Sequence, residues 1–220
     1  FSKRRAVKAY GLEESRIHVF PLKPAISTHR IEKNKTVIQK YGIDFPYIFY
    51  PSQFWPHKNH IYLLKGIKKL EEKYNIKIGL VFAGSDKGNL QYIRDYTRKL
   101  GLEGRTRFLG FVENDEIPLL YSESISLVMP TYFGPTNIPP LEAFQIGVPV
   151  LYSDKDGLKE QVGNAALLMD LKRPETMADH LKNLVEDSSL REYLITEGKE
   201  QLKVIDNIDS IKVLESILED

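Results

Sequence analysis

The stretch "MPTYFGPTNIPPLEAFQIGVPVLYSD", residues 129–154, contains the end of a strand, a Gly/Pro/Asn turn, a helix opened by two prolines and a further strand. Pro139 and Pro140 lack an N–H but have the backbone angle of a helix start, so a helix is predicted over 138–146. Glu142 is expected in its first turn, where the helix dipole favours a carboxylate by roughly 0.3–1 kcal/mol. Free amides near Thr136, Asn137 and Ile138 would point outward and accept a phosphate without a basic side chain. Gly134 would let a ligand come close to the backbone. A well-capped helix after a tight turn accounts for the same residues without a ligand.

The rest of the chain repeats this strand-then-helix pattern. Strands are predicted over 47–52, 77–84, 106–112, 125–131, 148–153 and 165–170, as short continuous apolar runs. Between them lie helical patterns over 59–74 (with Asn59 as N-cap), 89–102, 114–124 and 138–146, and a helical turn at "GLKEQVG". Residues 173–220 read as helical almost throughout. Apolar strands alternating with helices mean a parallel sheet covered on both faces. The expected fold is therefore a doubly wound, Rossmann-like α/β domain of about six strands with a helical C-terminal tail. Its ligand edge lies at the carboxyl ends of the strands, in the loops 53–59, 84–89, 110–114, 131–138 and 154–157.

Composition narrows the function classes. The chain has 220 residues, 42% hydrophobic and 28% charged, with a formal net charge of +1. That balance suits a globular protein and gives no footing for nucleic-acid binding. There is no cysteine, hence no disulfide, thiolate catalysis or zinc–thiolate site. No apolar run has the length of a membrane span. The chain opens at Phe1 with "FSKRRAVKAYGLEESRIHVFPLKPA", read as a basic helix followed by a short strand, as in the middle of a longer polypeptide.

Three loops add candidate binding residues. In "YPSQFWPHKNH", 50–60, Lys58 stands at a strand's carboxyl end beside a helix start, where it would neutralise a phosphate as a point charge. A lone solvated lysine is the plain alternative. His57 and His60 lack metal-pair spacing and a carboxylate cluster. In "FAGSDKGN", 82–89, Gly84 opens space after a strand, but the G-x-G-x-x-G pattern is missing. In "FLGFV", 108–112, Gly110 supplies backbone, and Phe111 and Val112 could cover a flat base. No nucleophile elbow, P-loop or histidine–carboxylate pair is present.

Taken in order, "PPLEAFQIGVPVLYSD", "FAG", "RFLGFV", "LLYSESISLVMPTYFG", "GNAALLMD" and "LREYLITEGKEQL" resemble the nucleotide-sugar-binding half of retaining glycosyltransferases with two facing Rossmann-like domains, the GT-B fold, in the large group 1 or family-four set. The likeness runs from about residue 10 to 205. It implies a hinge remnant at 1–25, a nucleotide-sugar-binding domain at 26–205, a C-terminal helix at 206–220, and an N-terminal acceptor-binding domain outside this chain. "YFGPTN" and "SQFWPHKNH" resemble a subgroup variant found among mannosyl- or rhamnosyl-type enzymes of surface polysaccharide assembly.

The resemblance also implies roles. The second glutamate of the family's two-glutamate motif falls on Glu142 and would hold the donor ribose. The first falls on Gly134, which leaves the sugar contact without its side chain. The family's phosphate-binding lysine falls on Lys58 and its arginine on Gln53. Catalysis would rest on Lys58 and Glu142. Gln53, Gly84, Gly110, Phe111, Val112, Gly134, Thr136, Asn137 and Ile138 would complete the donor site. No cofactor and no metal are expected. The implied partners are a nucleotide-sugar donor and, through the N-terminal domain, a glycan or lipid-linked acceptor. The implied location is the cytoplasm, at the inner membrane face. A UDP-sugar epimerase half, a catalytically degenerate nucleotide-sugar-binding module and a flavodoxin-like signalling domain are the rival readings.

Overall fold

The computed structural model describes residues 2–20, 22–24, 26, 35–134, 137–207 and 210–218. Six strands form one sheet: β1 (Tyr47–Pro51), β2 (Gly79–Ala83), β3 (Thr106–Phe108), β4 (Leu127–Met129), β5 (Val150–Ser153) and β6 (Ala166–Met169). All are parallel, in the order β3-β2-β1-β4-β5-β6. Helices cover both faces, so the central strands have no solvent side. Phe49, Val81, Phe82, Leu127, Val128, Val150 and Leu151 are fully buried, which is why the strands read as unbroken apolar runs rather than alternating ones.

The connecting helices are α2 (Lys35–Lys40), α3 (His60–Tyr74), α4 (Leu90–Lys99), α5 (Ile117–Ser122), α6 (Ile138–Ile146) and α7 (Lys159–Val162), preceded by α1 (Ser2–Tyr10). After β6 come α8 (Pro174–Glu186), α9 (Ser188–Asp206) and α10 (Ser210–Leu218). Asp187 caps α9 by accepting from the Leu190 amide at 3.0 Å. Glycines set two close helix approaches. A Cβ at Gly66 of α3 would run into Met177 of α8, and one at Gly198 of α9 would lie 2.8 Å from Phe144 of α6.

The departures from expectation are local. Residues 17–20 form no strand; a 3₁₀ turn at Glu14–Arg16 precedes them. β3 stops at Phe108 because Gly110 takes a left-handed φ of 70°. Helix α2 was not anticipated. Thr136 and Pro135 lie outside the described residues.

The strand order has a functional consequence. Connections run one way from β1 through β2 to β3 and the other way from β4 through β5 to β6. β1 and β4 are neighbours at this reversal, so the loops leaving their carboxyl ends diverge and open a crevice.

Register at the β1–β2 pair offers a stability test. Gly79 faces Tyr47, and a Cβ there would lie 2.6 Å from the Arg105 carbonyl oxygen as well as against the Phe45 ring. Backbone cannot yield as a side chain can, so Gly79→Ala should cost about 1–3 kcal/mol, seen as a lower urea midpoint at unchanged slope. Gly104→Ala meets nothing within 4 Å and should stay within about 0.5 kcal/mol of the parent. Equal midpoints for both variants would contradict this register.

Candidate active site

The two loops that diverge from β1 and β4 are tied together around Lys58. After β1 the chain makes a 3₁₀ turn, Pro56–Lys58, and passes through Asn59 at a left-handed φ of 56° into α3. Asn59 occupies the cap position but its side chain makes no capping bond, because the left-handed backbone turns it away from the first amides. Tyr50 anchors the turn, donating its hydroxyl to the Lys58 carbonyl at 3.0 Å. From the other loop, the Tyr132 amide donates to the His57 carbonyl at 2.9 Å.

The Lys58 ammonium reaches across to Asn137 Oδ1 at 3.5 Å. It is half-buried, and burial lowers its pKa below the usual 10.5. No carboxylate among the described residues forms an ion pair with it. A cation drawn partly out of water without a counter-charge is held at an energetic disadvantage that an arriving anion would relieve.

Asn137 is itself fixed. It is 4% exposed, and its Nδ2 donates to the Tyr152 hydroxyl at 2.5 Å. Its amide donates to Gln161 Oε1 at 3.3 Å, while Gln161 Nε2 donates back to its carbonyl at 2.6 Å. This corrects the expectation of a free amide at Asn137; Thr136 lies outside the described residues. The Asn137 N–H is already engaged, and Pro139 and Pro140 have none. Ile138 is the first helical residue of α6, and a helix-start amide has no partner within its own helix. Gly134 is explained by the same residue: a Cβ there would lie 2.6 Å from Asn137 Oδ1.

Helix α6 spans Ile138–Ile146 as predicted, and Glu142, its fifth residue, stands in the second turn rather than the first. Its Oε2 accepts from the hydroxyl of fully buried Tyr121 at 2.9 Å. Burial raises the carboxyl above its usual 4.5, and the tyrosine bond opposes only part of that. Tyr121 in turn packs edge-on against Phe49 of β1.

The remaining candidates spread along the same edge. Gln53 is exposed and accepts from Trp55 Nε1 at 3.0 Å, so its amide faces the tryptophan. Gly84 permits backbone contact between the β1 and β2 loops; a Cβ there would strike Ser52. Phe111 is 78% exposed, but Val112 is 6% exposed and belongs to the core. Only Phe111 of the pair therefore offers a face to a ligand. His60 is wholly buried among Tyr50, Phe54 and Phe82, with neither ring nitrogen hydrogen-bonded. Burial pushes its pKa down to about 3, so it packs as a neutral ring.

Helix starts at this edge are not equivalent. At α4, Asp86 Oδ1 accepts from the amides of Gly88, Asn89 and Leu90 at 2.8, 3.2 and 3.1 Å. That end carries its own anion and repels another. The start of α6 faces an ammonium instead. Among the described residues no three His, Asp or Glu side chains gather as a metal ion would require.

Tyr152, Gln161 and Tyr121 escaped the sequence reading. Each is a polar side chain inside an apolar or helical run, and a buried tyrosine hydroxyl requires a partner. That signal says a partner exists without naming it.

Among known proteins, the chain is 29% identical over 212 residues to the O-antigen chain mannosyltransferase B of Escherichia coli, covering 92% of this chain and 54% of that protein. It is 28% identical over 130 residues to the O-antigen chain mannosyltransferase RfbU of Salmonella typhimurium, covering 59% and 36%. The chain thus spans about half the length of the first relative and about a third of the second. Two solved structures share its fold. A glycosyltransferase from Rickettsia africae superposes with a TM-score of 0.82 at 17% identity, over 99% of this chain and 60% of that one. HepE from Anabaena, solved in complex with UDP-glucose, superposes at 0.78 and 18% identity, with the same coverage. Residues 33–201 match the family described as glycosyl transferases group 1, and the chain belongs to that family.

Proposed function

We propose that this chain is the donor-binding half of a retaining glycosyltransferase, in which residues 26–205 hold a nucleoside diphosphate sugar. The observation that carries the reading is the half-buried Lys58 ammonium, which faces Asn137 at the start of α6 and has no carboxylate partner among the described residues. The remaining length of the relatives supplies the acceptor side, residues 1–25 the hinge toward it, and α10 (Ser210–Leu218) a closing helix. The relatives' names, O-antigen chain mannosyltransferases, favour a mannosyl donor and surface-glycan assembly; the proposed location is the cytoplasm, at the inner face of a membrane. No described helix is long and apolar enough to cross one.

In the proposed reaction the bond from the anomeric carbon to the diphosphate oxygen breaks, and its electron pair leaves with the diphosphate. An acceptor hydroxyl oxygen forms the new bond on the same face, and its proton passes to the leaving diphosphate oxygen. Negative charge grows on the leaving group, so a cation and an amide fixed beforehand lower the barrier. Lys58 and the Ile138 N–H fill that role, with Gln53 as a neutral hydrogen-bonding partner in place of a second cation. Glu142 accepts from ribose hydroxyls. Direct contact between Glu142 and phosphate would be repulsive, and the ribose separates them. Phe111 and the backbone at Gly110 cover the base, and Gly84 keeps the neighbouring loop clear. No metal is assigned a part.

Calorimetric titration of the 220-residue chain with UDP, GDP, ADP and dTDP and their sugars tests this directly. At least one should bind below the millimolar range, and Lys58→Ala should weaken it at least about tenfold, the scale of a lost charge-assisted hydrogen bond. His60→Ala should cost less affinity. Absence of binding across the panel would overturn the donor-site reading.

Glu142 provides a test in which stability and binding move oppositely. Its folded pKa is raised above 4.5, so the folded chain holds that proton more tightly than the unfolded chain. Stability therefore falls as pH rises from about 4.5 through the folded value. Glu142→Gln removes the loss. Its urea midpoint should exceed the parent's at pH 7 and converge with it below pH 4.5, while nucleotide affinity drops. A variant less stable than the parent at pH 7 would contradict the assignment of a strained buried carboxylate.

A further inference from the structure

The direction of every hydrogen bond around Asn137 follows from its own backbone. A main-chain N–H can only donate and a main-chain carbonyl can only accept. Gln161 meets both: its Oε1 accepts the Asn137 N–H at 3.3 Å, and its Nε2 donates to the Asn137 carbonyl at 2.6 Å. Reversing the Gln161 amide would set donor against donor and acceptor against acceptor. The Tyr152 hydroxyl lies 3.4 Å from the same Oε1. An amide oxygen only accepts, so the hydroxyl proton points at Gln161 and the Tyr152 lone pairs are left to receive. Asn137 Nδ2 supplies their donor at 2.5 Å.

The sense of the Asn137 side chain is thereby fixed. With Nδ2 turned to Tyr152, Oδ1 faces the Lys58 ammonium at 3.5 Å. The reversed amide would bring an NH2 against the ammonium, donor against donor. A polarity set at one peptide unit thus passes through two side chains and ends as an acceptor offered to the lysine. An ammonium has three N–H donors. Asn137 takes one of them and leaves the others for phosphate oxygens.

Both holders are themselves secured. Tyr152 belongs to β5 and is fully buried. Burial pushes its phenol pKa upward, so it keeps its proton. Gln161 belongs to the four-residue helix α7, which Gln201 of α9 steadies by donating to the Gln161 carbonyl at 3.0 Å. Asn137 is too buried for water to replace these partners.

We infer that Tyr152 and Gln161 are positioning residues of the donor site, acting through Asn137 to hold an acceptor oxygen against Lys58. The consequence for nucleotide binding rests on the donor-site reading; the consequence for Lys58 itself does not.

Two variants of the 220-residue chain test it. Tyr152→Phe keeps the ring and removes only the hydroxyl. Gln161→Met keeps the length and removes both amide contacts. In each, the ammonium loses its fixed acceptor and moves into water. Its pKa, followed by heteronuclear NMR of Lys58 Nζ, should rise from its lowered value toward 10.5. Calorimetric affinity for the tightest nucleoside diphosphate should fall about fivefold in each, the scale of one net hydrogen bond. The double variant should bind no more weakly than the weaker single one, since both act through one side chain.

Tyr47→Phe separates this role from a general loss of stability. That hydroxyl is also buried, and it donates to the Leu120 carbonyl at 2.8 Å from the amino end of β1, the sheet edge opposite the site. Its loss should lower the urea midpoint and leave the Lys58 pKa in place. The inference is overturned by a Lys58 pKa that stays at or below the parent's in either variant, or that Tyr47→Phe raises as much. Unchanged affinity in the singles, or losses that add in the double, would overturn it as well. If no nucleotide binds the parent, the donor reading fails and the Lys58 pKa alone decides this one.

Discussion

An ammonium drawn half out of water, with no carboxylate beside it among the described residues, organises this edge of the protein. Lys58 reaches that state because the sheet reverses direction between β1 and β4, which sends their two loops apart and leaves a crevice between them. Tyr50 holds the lysine turn from below, and Asn137 receives the ammonium from across the gap. A neutral amide oxygen gives far less than a carboxylate would. The desolvation is therefore left uncompensated in the unliganded chain, as the lowered pKa expresses. Folding energy from the apolar sheet sustains an arrangement that the local groups alone would not choose.

The second loop is built to keep that gap fixed. Gln161 grips Asn137 at both its amide and its carbonyl, and Tyr152 holds its side chain. The space Asn137 occupies is the space a side chain at position 134 would need, so glycine at 134 and asparagine at 137 belong together. With a glutamate at 134 the asparagine would have to move, and Lys58 would lose its neighbour.

The fold was largely legible because each strand is buried on both faces and must read as an unbroken apolar run. "KIGLVFAG" and "VPVLYS" leave no other plausible burial. Helix α2 was not legible, since six residues of "KTVIQK" carry too little periodicity. Of the residues named for the site, Lys58, Gly134 and Asn137 do meet. What the sequence withheld were contacts between distant residues. Nothing near Glu142 announces Tyr121, which is 21 positions earlier on another helix, and nothing near Asn137 announces Gln161, 24 positions later. Val112 looked available beside Phe111, but β3 ends at Phe108 and in the irregular segment beyond it Val112 turns into the core while Phe111 stays exposed.

The central claim concerns the charge state and partner of a single nitrogen. Heteronuclear NMR of the Lys58 Nζ resonance, titrated in the free chain and again with the tightest nucleoside diphosphate, measures both. The account predicts a pKa below 10.5 in the free chain that rises when the diphosphate binds. A value at or above 10.5 in the free chain, or one that the nucleotide leaves unmoved, would contradict it.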